Sequence, residues 1–512
     1  MGTRFFRLSA GGLPESREAT GAPRRYTDWV AITPNVAVLD DLSGWARAFR
    51  PTAIIALHLL LSGAVTIHLL RGRRVNRSAA AWVGLVWLAP FIGTALYLLL
   101  GVNRVRRRAA ALRSLGGPAS RSTLPTGAKR DDHLSALSLA GDRITKRPAI
   151  GCNAITVLQS GDEGYPPMLA AIAGAKESLA LTSYLFRADR IGHEFIEALM
   201  RASRRGVSVC VIVDGIGSGY FYSAAYWRLR HNGVPVARFM HSPLPWRMPF
   251  INLRSHKKLL IADGRIAFTG GLNIGDENLT ANRPPHAVLD THFRVEGPIV
   301  AHLTRSFSDD WYFCTGRELS GAAWYPPLSA AGTSTARVVT SGPDQDLEKI
   351  EFLMLEAIGC ARESIRVLTP YFAPDDRLIT ALCLAALRGV SVELILPKRS
   401  NHPYMDGAAR ATIGPLLESG CTVSAHLPPF DHSKLMTVDA LWCLLGSANW
   451  DIRSLRLNFE LDLEVYCPTM AARLNEHMDR LQLEPITLQS LAQRSFGGTL
   501  RDGVAALLMP YL

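Results

Sequence analysis

The sequence predicts an α/β protein of two related halves behind a pair of membrane-spanning helices. Three observations carry this. A histidine, lysine and aspartate pattern with a downstream asparagine occurs twice at one internal spacing. Helix-like and strand-like segments alternate in the same order around each copy, and two long uncharged apolar runs precede both. A chain of 512 residues exceeds one ordinary core. It divides into an arm (1–48), a helical hairpin (49–113), a linker (114–148), a first half (149–330) and a second half (331–512).

Hydrophobic content of 48% with 20% charged residues is rich for a soluble protein and directs attention to membrane segments. A formal charge of +12 favours an anionic partner, either nucleic acid or an anionic lipid surface, and charge alone does not choose between them. Residues 1–45 mix Gly, Pro, Arg and Ser without sustained periodicity or a signal-peptide pattern, which predicts a disordered arm. Residues 52–70 contain no Asp, Glu, Lys or Arg, and 80–101 form a second uncharged stretch with Pro90 in its middle. Each is long enough to cross roughly 30 Å of hydrocarbon as a helix, and Pro90 kinks the second without excluding it. Arg71, Arg73, Arg74 and Arg77 lie between the spans, while Arg47, Arg50, Arg104, Arg106, Arg107, Arg108 and Arg113 flank their outer ends. Seven outer arginines against four tip the catalytic portion toward the cytoplasm of a multi-pass protein. The Ser-, Gly- and Pro-rich 114–148 reads as a linker.

The halves show internal repetition. Ala171-Ile172-Ala173-Gly174-Ala175-Lys176-Glu177-Ser178-Leu179 resembles Ala357-Ile358-Gly359-Cys360-Ala361-Arg362-Glu363-Ser364-Ile365, and Arg205-Gly206-Val207-Ser208-Val209 returns as Arg388-Gly389-Val390-Ser391-Val392. Offsets of 186 and 183 residues, with 176 between the motif histidines, fit a duplicated domain with altered loops. In the first half, 168–176 reads as helix, 178–185 as strand, 192–204 as helix and 207–214 as strand; 351–362, 365–369, 378–387 and 390–396 follow the same order. Such alternation argues for buried sheets in α/β units.

The motif itself is His256-Lys257-Lys258 with Asp263, then Gly270-Gly271-Leu272-Asn273. It recurs as His432-Ser433-Lys434 with Asp439, then Gly446-Ser447-Ala448-Asn449. In both copies the asparagine lies 17 residues after the histidine. With these two copies the chain resembles the phospholipase D superfamily. The run Asn449-Trp450-Asp451-Ile452-Arg453-Ser454-Leu455-Arg456-Leu457-Asn458-Phe459-Glu460 resembles its bacterial cardiolipin synthase branch, as does a double span ahead of a catalytic region. The resemblance implies two phospholipase D-like α/β halves about a pseudo-twofold axis, with the motifs meeting between them.

Neutral imidazole is a nucleophile near pH 7, and a phosphoramidate passes its group on readily. The resemblance implies that His256 attacks phosphorus while His432 protonates the departing alcohol and deprotonates the incoming one; the symmetry of the motifs leaves that assignment open. Lys258 and Lys434, with the Asn273 and Asn449 amides, are expected to face the nonbridging oxygens. The resemblance further implies that Asp290 and Glu460, 34 and 28 residues after the preceding histidines, orient the two rings. Asp263 and Asp439 complete the catalytic motifs and are expected to close the turn after each strand. No carboxylate cluster of metal-binding spacing accompanies the motifs, so the expected reaction needs no metal or other cofactor. The expected substrates are phosphatidylglycerol and other anionic phospholipids in the bacterial inner membrane, with no nucleic acid partner; oligomeric state is not legible. The leading activity is cardiolipin formation from two phosphatidylglycerol molecules with release of glycerol. A phospholipase D-type hydrolase or transphosphatidylase using another acceptor, and a non-catalytic anionic-lipid scaffold, are the alternatives.

Other residues carry plainer readings. Eight cysteines without metal or disulfide spacing are expected to be buried free thiols. Pro374-Asp375-Asp376 reads as a helix N-cap, Gly215-Ile216-Gly217-Ser218-Gly219 as a loop, and Tyr184 and Tyr371 as strand-end aromatics that line the pocket or belong to the core. Asp406-Gly407-Ala408-Ala409-Arg410 faintly resembles the motif of nucleotide-activated alcohol phosphatidyltransferases, one residue short and without its later aspartates. Pro285-His286-Ala287-Val288-Leu289 stands where relatives of the branch more often have an aromatic and a basic residue. The C-terminal 500–512 reads either as an interfacial amphipathic segment or as packing on the second half.

Overall fold

The computed structural model describes residues 36–71, 77–98, 132–242, 253–281, 286–344 and 346–509. The chain forms two compact units, 1–101 and 102–512.

In the first unit a helix runs over Val36–Arg71, beginning inside the segment expected to be a disordered arm; the arm before it lies outside the described residues. Its stretch Arg50–Arg71, with mean hydropathy 2.1, is the one described helix long and apolar enough to cross a membrane. The expected second span is interrupted at one residue before Pro90, with i to i−4 bonds on either side, Ala89 N–H to the Leu85 carbonyl at 2.8 Å and Gly93 N–H to the Ala89 carbonyl at 2.6 Å. Helix Arg77–Leu88 stops at Ala89, which leaves helical geometry (φ −138°, ψ 73°), and Pro90 opens a new helix over Pro90–Leu96. Proline suits a first helical position because it has no N–H to place there. Polar groups join the helices: Ser62 Oγ donates to the Val86 carbonyl at 3.0 Å, Trp87 Nε1 to Thr66 Oγ1 at 3.1 Å, and His68 Nδ1 lies 2.6 Å from Tyr97 Oη.

The second unit is built on one long sheet. Its first half contributes β1 (Ile150–Gln159), β2 (Ser178–Ser183), β3 (Ser208–Asp214), β4 (Val236–Phe239), β5 (Leu259–Ala262), β6 (Ile266–Gly270), the short β7 (Val288–Leu289) and β8 (Thr291–Glu296). Its second half contributes β9 (Ser334–Ser341), β10 (Ser364–Leu368), β11 (Phe372–Ala373), β12 (Ser391–Pro397), β13 (Thr422–His426), β14 (Phe430–Asp431), β15 (Leu435–Val438), β16 (Trp442–Gly446), β17 (Trp450–Asp451), β18 (Glu460–Tyr466) and β19 (Leu483–Ile486). The sheet order is β19-β13-β12-β10-β15-β16-β18-β9-β1-β8-β6-β5-β2-β3-β4. With the extra β19 set aside, the order reads the same outward from the antiparallel β1–β9 pair in the middle. In each half two parallel pairings (β2-β3-β4 and β10-β12-β13) adjoin an antiparallel hairpin, β5-β6 or β15-β16.

Parallel strands buried on both faces read as continuous apolar runs, and Val209-Cys210-Val211-Ile212-Val213 is one. The repeated Arg-Gly-Val-Ser-Val marks where the helices Arg190–Arg204 and Asp376–Leu387 end. Gly206 and Gly389 take φ +89° and +91°, a left-handed turn that glycine adopts without Cβ strain. Asp189 and Asp375 cap the starts of these helices by accepting backbone N–H groups, Gly192 N–H for Asp189 and the Arg377 and Leu378 N–H groups for Asp375. One core, including Phe307, Trp311, Leu463 and Leu474, runs across both halves beneath the helices Val300–Thr315 and Pro468–Asp479. The opposite faces carry separate cores, around Phe195 in the first half and around Phe372 and Trp442 in the second.

The linker expected over 114–148 is interrupted by a helix, Ser135–Thr145; its part before residue 132 lies outside the described residues. Leu134 and Leu137 join the second-half core, and Arg337 in β9 reaches Asp142, the Ser138 carbonyl and buried Glu464. The C-terminal helix Phe496–Leu508 packs on the second half, with Asp502 buried against Arg410 and Arg494. Phe496, Leu500, Val504 and Leu507 face outward. All eight cysteines are free; Cys210, Cys421, Cys443 and Cys467 are buried as expected, whereas Cys314, Cys360 and Cys383 are half-buried and Cys152 is exposed.

Candidate active site

Two short parallel pairings between the halves assemble the site. Ser255 bridges Phe459, which sets the next residues, His256 and Glu460, side by side. On the other flank β7 pairs with β14, Leu289 opposite Asp431, which sets Asp290 beside His432. Backbone bonds fix both registers: His256 N–H donates to the Phe459 carbonyl at 2.9 Å and His432 N–H to the Leu289 carbonyl at 2.8 Å. His256 Nδ1 lies 3.1 Å from Glu460 Oε2 and 3.0 Å from the Ser447 carbonyl, and His432 Nδ1 lies 2.8 Å from Asp290 Oδ2. Each ring is therefore held by a carboxylate of the other half. The two imidazoles stand edge to face, centroids 6.4 Å apart at 82°. With both Nδ1 atoms held, both Nε2 atoms are left for a substrate. Tyr184 meets His256 (5.0 Å between centroids) and Tyr371 meets His432 (5.9 Å), so the matched tyrosines wall the pair.

Two buried lysines flank the imidazoles. Lys258 Nζ donates to the His256 carbonyl at 2.7 Å and lies over the Tyr184 ring, 5.5 Å from its centroid. Lys434 Nζ lies 2.8 Å from His432 Nδ1 and donates to the His432 carbonyl. Burial takes Lys258 down to about 7 and Lys434 to about 8, each opposed by Glu460 and Asp290. Burial likewise lowers both histidines, with the lysine charges adding to the fall. Asp290 is raised by burial to about 6 against the pull of Lys434 and Lys258. Burial also acts to raise Glu460, yet His256, Lys258 and its hydrogen bonds hold it below the ordinary range. A phosphodiester between the rings would meet two buried ammonium groups, so its negative charge would lift the depressed pKa values back.

Asp263 and Asp439 are not at this centre. They lie at the far ends of β5 and β15 in left-handed turns, φ +51° and +52°. Asp263 accepts the N–H groups of Lys176, Glu177 and Ser178, and Asp439 those of Arg362, Glu363 and Ser364, with His133 Nε2 at 2.6 Å. Each ties its motif hairpin to the neighbouring strand, which corrects their grouping with the catalytic residues. The asparagines are built in differently. Asn273 Oδ1 accepts Leu185 N–H at 3.2 Å, whereas Asn449 Nδ2 donates to Ser454 Oγ at 3.1 Å, and Ser454 donates on to Glu460 Oε1 at 2.9 Å.

Sequence reasoning missed several supports. Ser447 and Ser454 donate to Glu460; Asp214 accepts Ser255 N–H at 2.8 Å and so fixes the residue before His256; Thr291 Oγ1 meets Ser433 Oγ at 2.7 Å across the halves. Lys257, between the motif residues, is buried in an ion pair with Asp310 at 2.7 Å. Gly271 had a readable signal in its place in the motif: a Cβ there would fall 2.0 Å from Asp290 Oδ1. Asp375 caps its helix, Gly215–Gly219 is a turn region, and Asp406 accepts Ser400 N–H on a helix whose Arg410 pairs with Asp502. Pro285 lies outside the described residues, and Val288 and Leu289 are the strand that presents Asp290. Among the described residues no group of three or more His, Cys, Asp or Glu is arranged to hold a metal ion.

Comparison with known proteins gives the family. The family described as "Cardiolipin synthase, PLD-like domain" matches residues 168–311 and 354–482, and the family described as "Phospholipase_D-nuclease N-terminal" matches 60–101. The chain is 32% identical to a cardiolipin synthase of Geobacillus kaustophilus over 508 residues, covering 95% of this chain and 100% of that one. It is 34% identical to cardiolipin synthase A of Pseudomonas syringae pv. syringae over 423 residues, 80% of this chain and 86% of that one. Phosphatidylserine synthase of Haemophilus influenzae has a similar fold, with TM-score 0.57 and 14% identity over 73% of this chain and 100% of that one. Two motif copies in one site, matched over nearly the whole chain, make this protein an enzyme of the phospholipase D superfamily and a member of its cardiolipin synthase family.

Proposed function

We propose that the protein is a membrane phosphatidyltransferase that joins two phosphatidylglycerol molecules into cardiolipin and releases glycerol through a phosphohistidine intermediate. The observation that carries this is the pair of imidazoles 6.4 Å apart, each with Nδ1 held by a carboxylate of the opposite half. In the first step His256 Nε2 bonds to phosphorus, the phosphorus–oxygen bond to glycerol breaks, and His432 gives its proton to the departing oxygen. In the second, the hydroxyl of another phosphatidylglycerol gives its proton to His432, its oxygen bonds to phosphorus and the nitrogen–phosphorus bond breaks. The firmly ionised Glu460 at His256 favours that ring as nucleophile, since an Nδ1–H donated to a carboxylate leaves Nε2 richer in electrons. Lys258 and Lys434 take the charge on the nonbridging oxygens, and one phosphodiester replaces another, so neither nucleotide nor metal is needed.

The palindromic strand order supports two halves about a pseudo-twofold. The apolar Arg50–Arg71, the further apolar helices after it and the arginine balance support a multi-pass protein of the bacterial inner membrane with its site on the cytoplasmic side, among anionic phospholipids. Purified protein given phosphatidylglycerol alone, in excess chelator, should yield cardiolipin and glycerol in equal amounts. Folded protein that yields only phosphatidic acid, or nothing, rules the proposal out.

A further inference from the structure

The C-terminal helix Phe496–Leu508 has two unlike sides. Asp502, Ala505 and the following Met509 are buried, and Ala505 and Met509 share a small apolar cluster with Met405, Ala408 and Tyr371. The helix Pro403–Thr412 receives them at close range. A Cβ on Gly407 would fall 2.9 Å from Asp502 Oδ1, so the small residues of Asp406-Gly407-Ala408-Ala409-Arg410 leave the room that a second helix fills. Since the Tyr371 ring meets His432, the C-terminal helix stands one layer of side chains behind the wall of the catalytic pair. The other side is apolar and open. Phe496, Leu500, Val504 and Leu507 recur every three or four residues and are 85%, 59%, 47% and 75% exposed. Such a stripe of large apolar side chains, on a helix already packed along its opposite side, marks a surface that something apolar covers.

Charge identifies what covers it. Beside the helix lies a cavity of about 570 Å³ lined in part by Arg410, Arg494 and Arg501. All three converge on one carboxylate, Asp502, from which Arg410 Nε lies 3.0 Å, Arg494 Nη2 2.8 Å and Arg501 Nη2 3.5 Å. Lys398, Arg399 and Asp406 line the same cavity, and Lys398 pairs with Glu484 at 2.7 Å. Five cations therefore stand against three carboxylates, and the surplus is positive. Arg399 and Arg501 are exposed, so this charge reaches the surface beside the stripe. A partner that is apolar within and anionic at its edge matches both features, and an anionic bilayer is such a partner: acyl chains take the stripe and lipid phosphates the arginine forks. The chain also carries, in Arg50–Arg71, a helix long and apolar enough to cross one.

We infer that the C-terminal helix lies in the interface of an anionic bilayer, with Phe496, Leu500, Val504 and Leu507 among the acyl chains and lipid phosphates in the cavity of Arg410, Arg494 and Arg501. This contact seats the second-half side of the active site at the headgroup layer, where a phospholipid reaches it without leaving the membrane. It goes beyond the reaction proposed above and holds whichever acceptor that reaction uses.

The test places the photoreactive residue benzoylphenylalanine at position 504 of the full-length protein, in vesicles of phosphatidylglycerol or of phosphatidylcholine alone. Irradiation should attach lipid to the helix in phosphatidylglycerol, with a yield about fivefold lower in phosphatidylcholine, the factor expected for a single arginine at an anionic surface. Arg399→Gln combined with Arg501→Gln should lower the yield in phosphatidylglycerol by at least as much. Leu500→Asp combined with Leu507→Asp, both on the exposed side, should cut turnover of phosphatidylglycerol in vesicles by about 10- to 100-fold. Turnover of short-chain phosphatidylglycerol dissolved as monomers should stay within about threefold of wild type. Absence of a lipid adduct, an adduct to a second copy of the chain instead, or a yield indifferent to lipid charge overturns the inference. So does equal loss, or no loss, of both turnovers. A lipid adduct in protein that makes no cardiolipin removes the proposed reaction and leaves the docking in place, so the two failures are told apart.

Discussion

Glu460 and His256 lie 204 positions apart in the chain and 3.1 Å apart in space, a carboxylate of the second half holding the imidazole of the first. Replacing Glu460 with Gln keeps the shape but lets the amide present a donor to Nδ1, which favours the wrong tautomer. Turnover should fall on the order of 10³-fold with the thermal midpoint little changed, as expected when a triad-like carboxylate is neutralised. Rate measurements beside a melting curve check this; a rate within tenfold of wild type removes Glu460 from the mechanism.

The pH profile should be bell-shaped. Asp290, raised to about 6, loses its charge as pH falls through that value and releases the His432 ring. Lys258 and Lys434, lowered to about 7 and about 8, lose theirs as pH rises and stop holding the phosphate. Since kcat/KM reports groups of the free enzyme, it should decline below about pH 6 and above about pH 7, more steeply once Lys434 also loses its charge near pH 8. A flat profile from pH 5 to 9 contradicts the assignment.

Asp263 acts on stability rather than chemistry. Asp263→Ala leaves the Lys176, Glu177 and Ser178 N–H groups without their acceptor and should cost about 1–3 kcal/mol. The folded fraction should keep kcat within about threefold, whereas Lys258→Ala should abolish turnover with a smaller effect on melting. Chemical denaturation beside active-site titration separates the two outcomes.

Gly141 lets the helix Ser135–Thr145 close on the sheet. A Cβ there would fall 1.5 Å from Arg337 Nη1, whose guanidinium neutralises the buried Glu464. Gly141→Ala should displace that arginine and lower stability by about 3–5 kcal/mol, the range for breaking a buried ion pair. An unchanged thermal midpoint would show that the helix docks loosely.

The halves and the motif were readable because duplication supplies its own alignment: Arg-Gly-Val-Ser-Val and His-x-Lys each occur twice, and both copies fold alike. The exchange of carboxylates was not readable. Distance along the chain ties Asp290 to the preceding His256, but the β7–β14 pairing between halves hands it to His432. The helix Ser135–Thr145 was hidden inside a Ser-, Gly- and Pro-rich stretch, and its main anchor is a polar contact with Arg337. Pro90 was visible as a disturbance, yet sequence alone did not show that the preceding residue, Ala89, leaves helical geometry.

The most direct test of the account is to trap the covalent step. Protein mixed with phosphatidylglycerol carrying labelled phosphorus, and quenched in base within one turnover, should yield an acid-labile adduct on the peptide containing His256. His432→Ala should accumulate it, because without a base for the acceptor hydroxyl the second step becomes the slower one, and His256→Ala should carry none. Cardiolipin formed at the wild-type rate with no adduct on His256 would contradict the account.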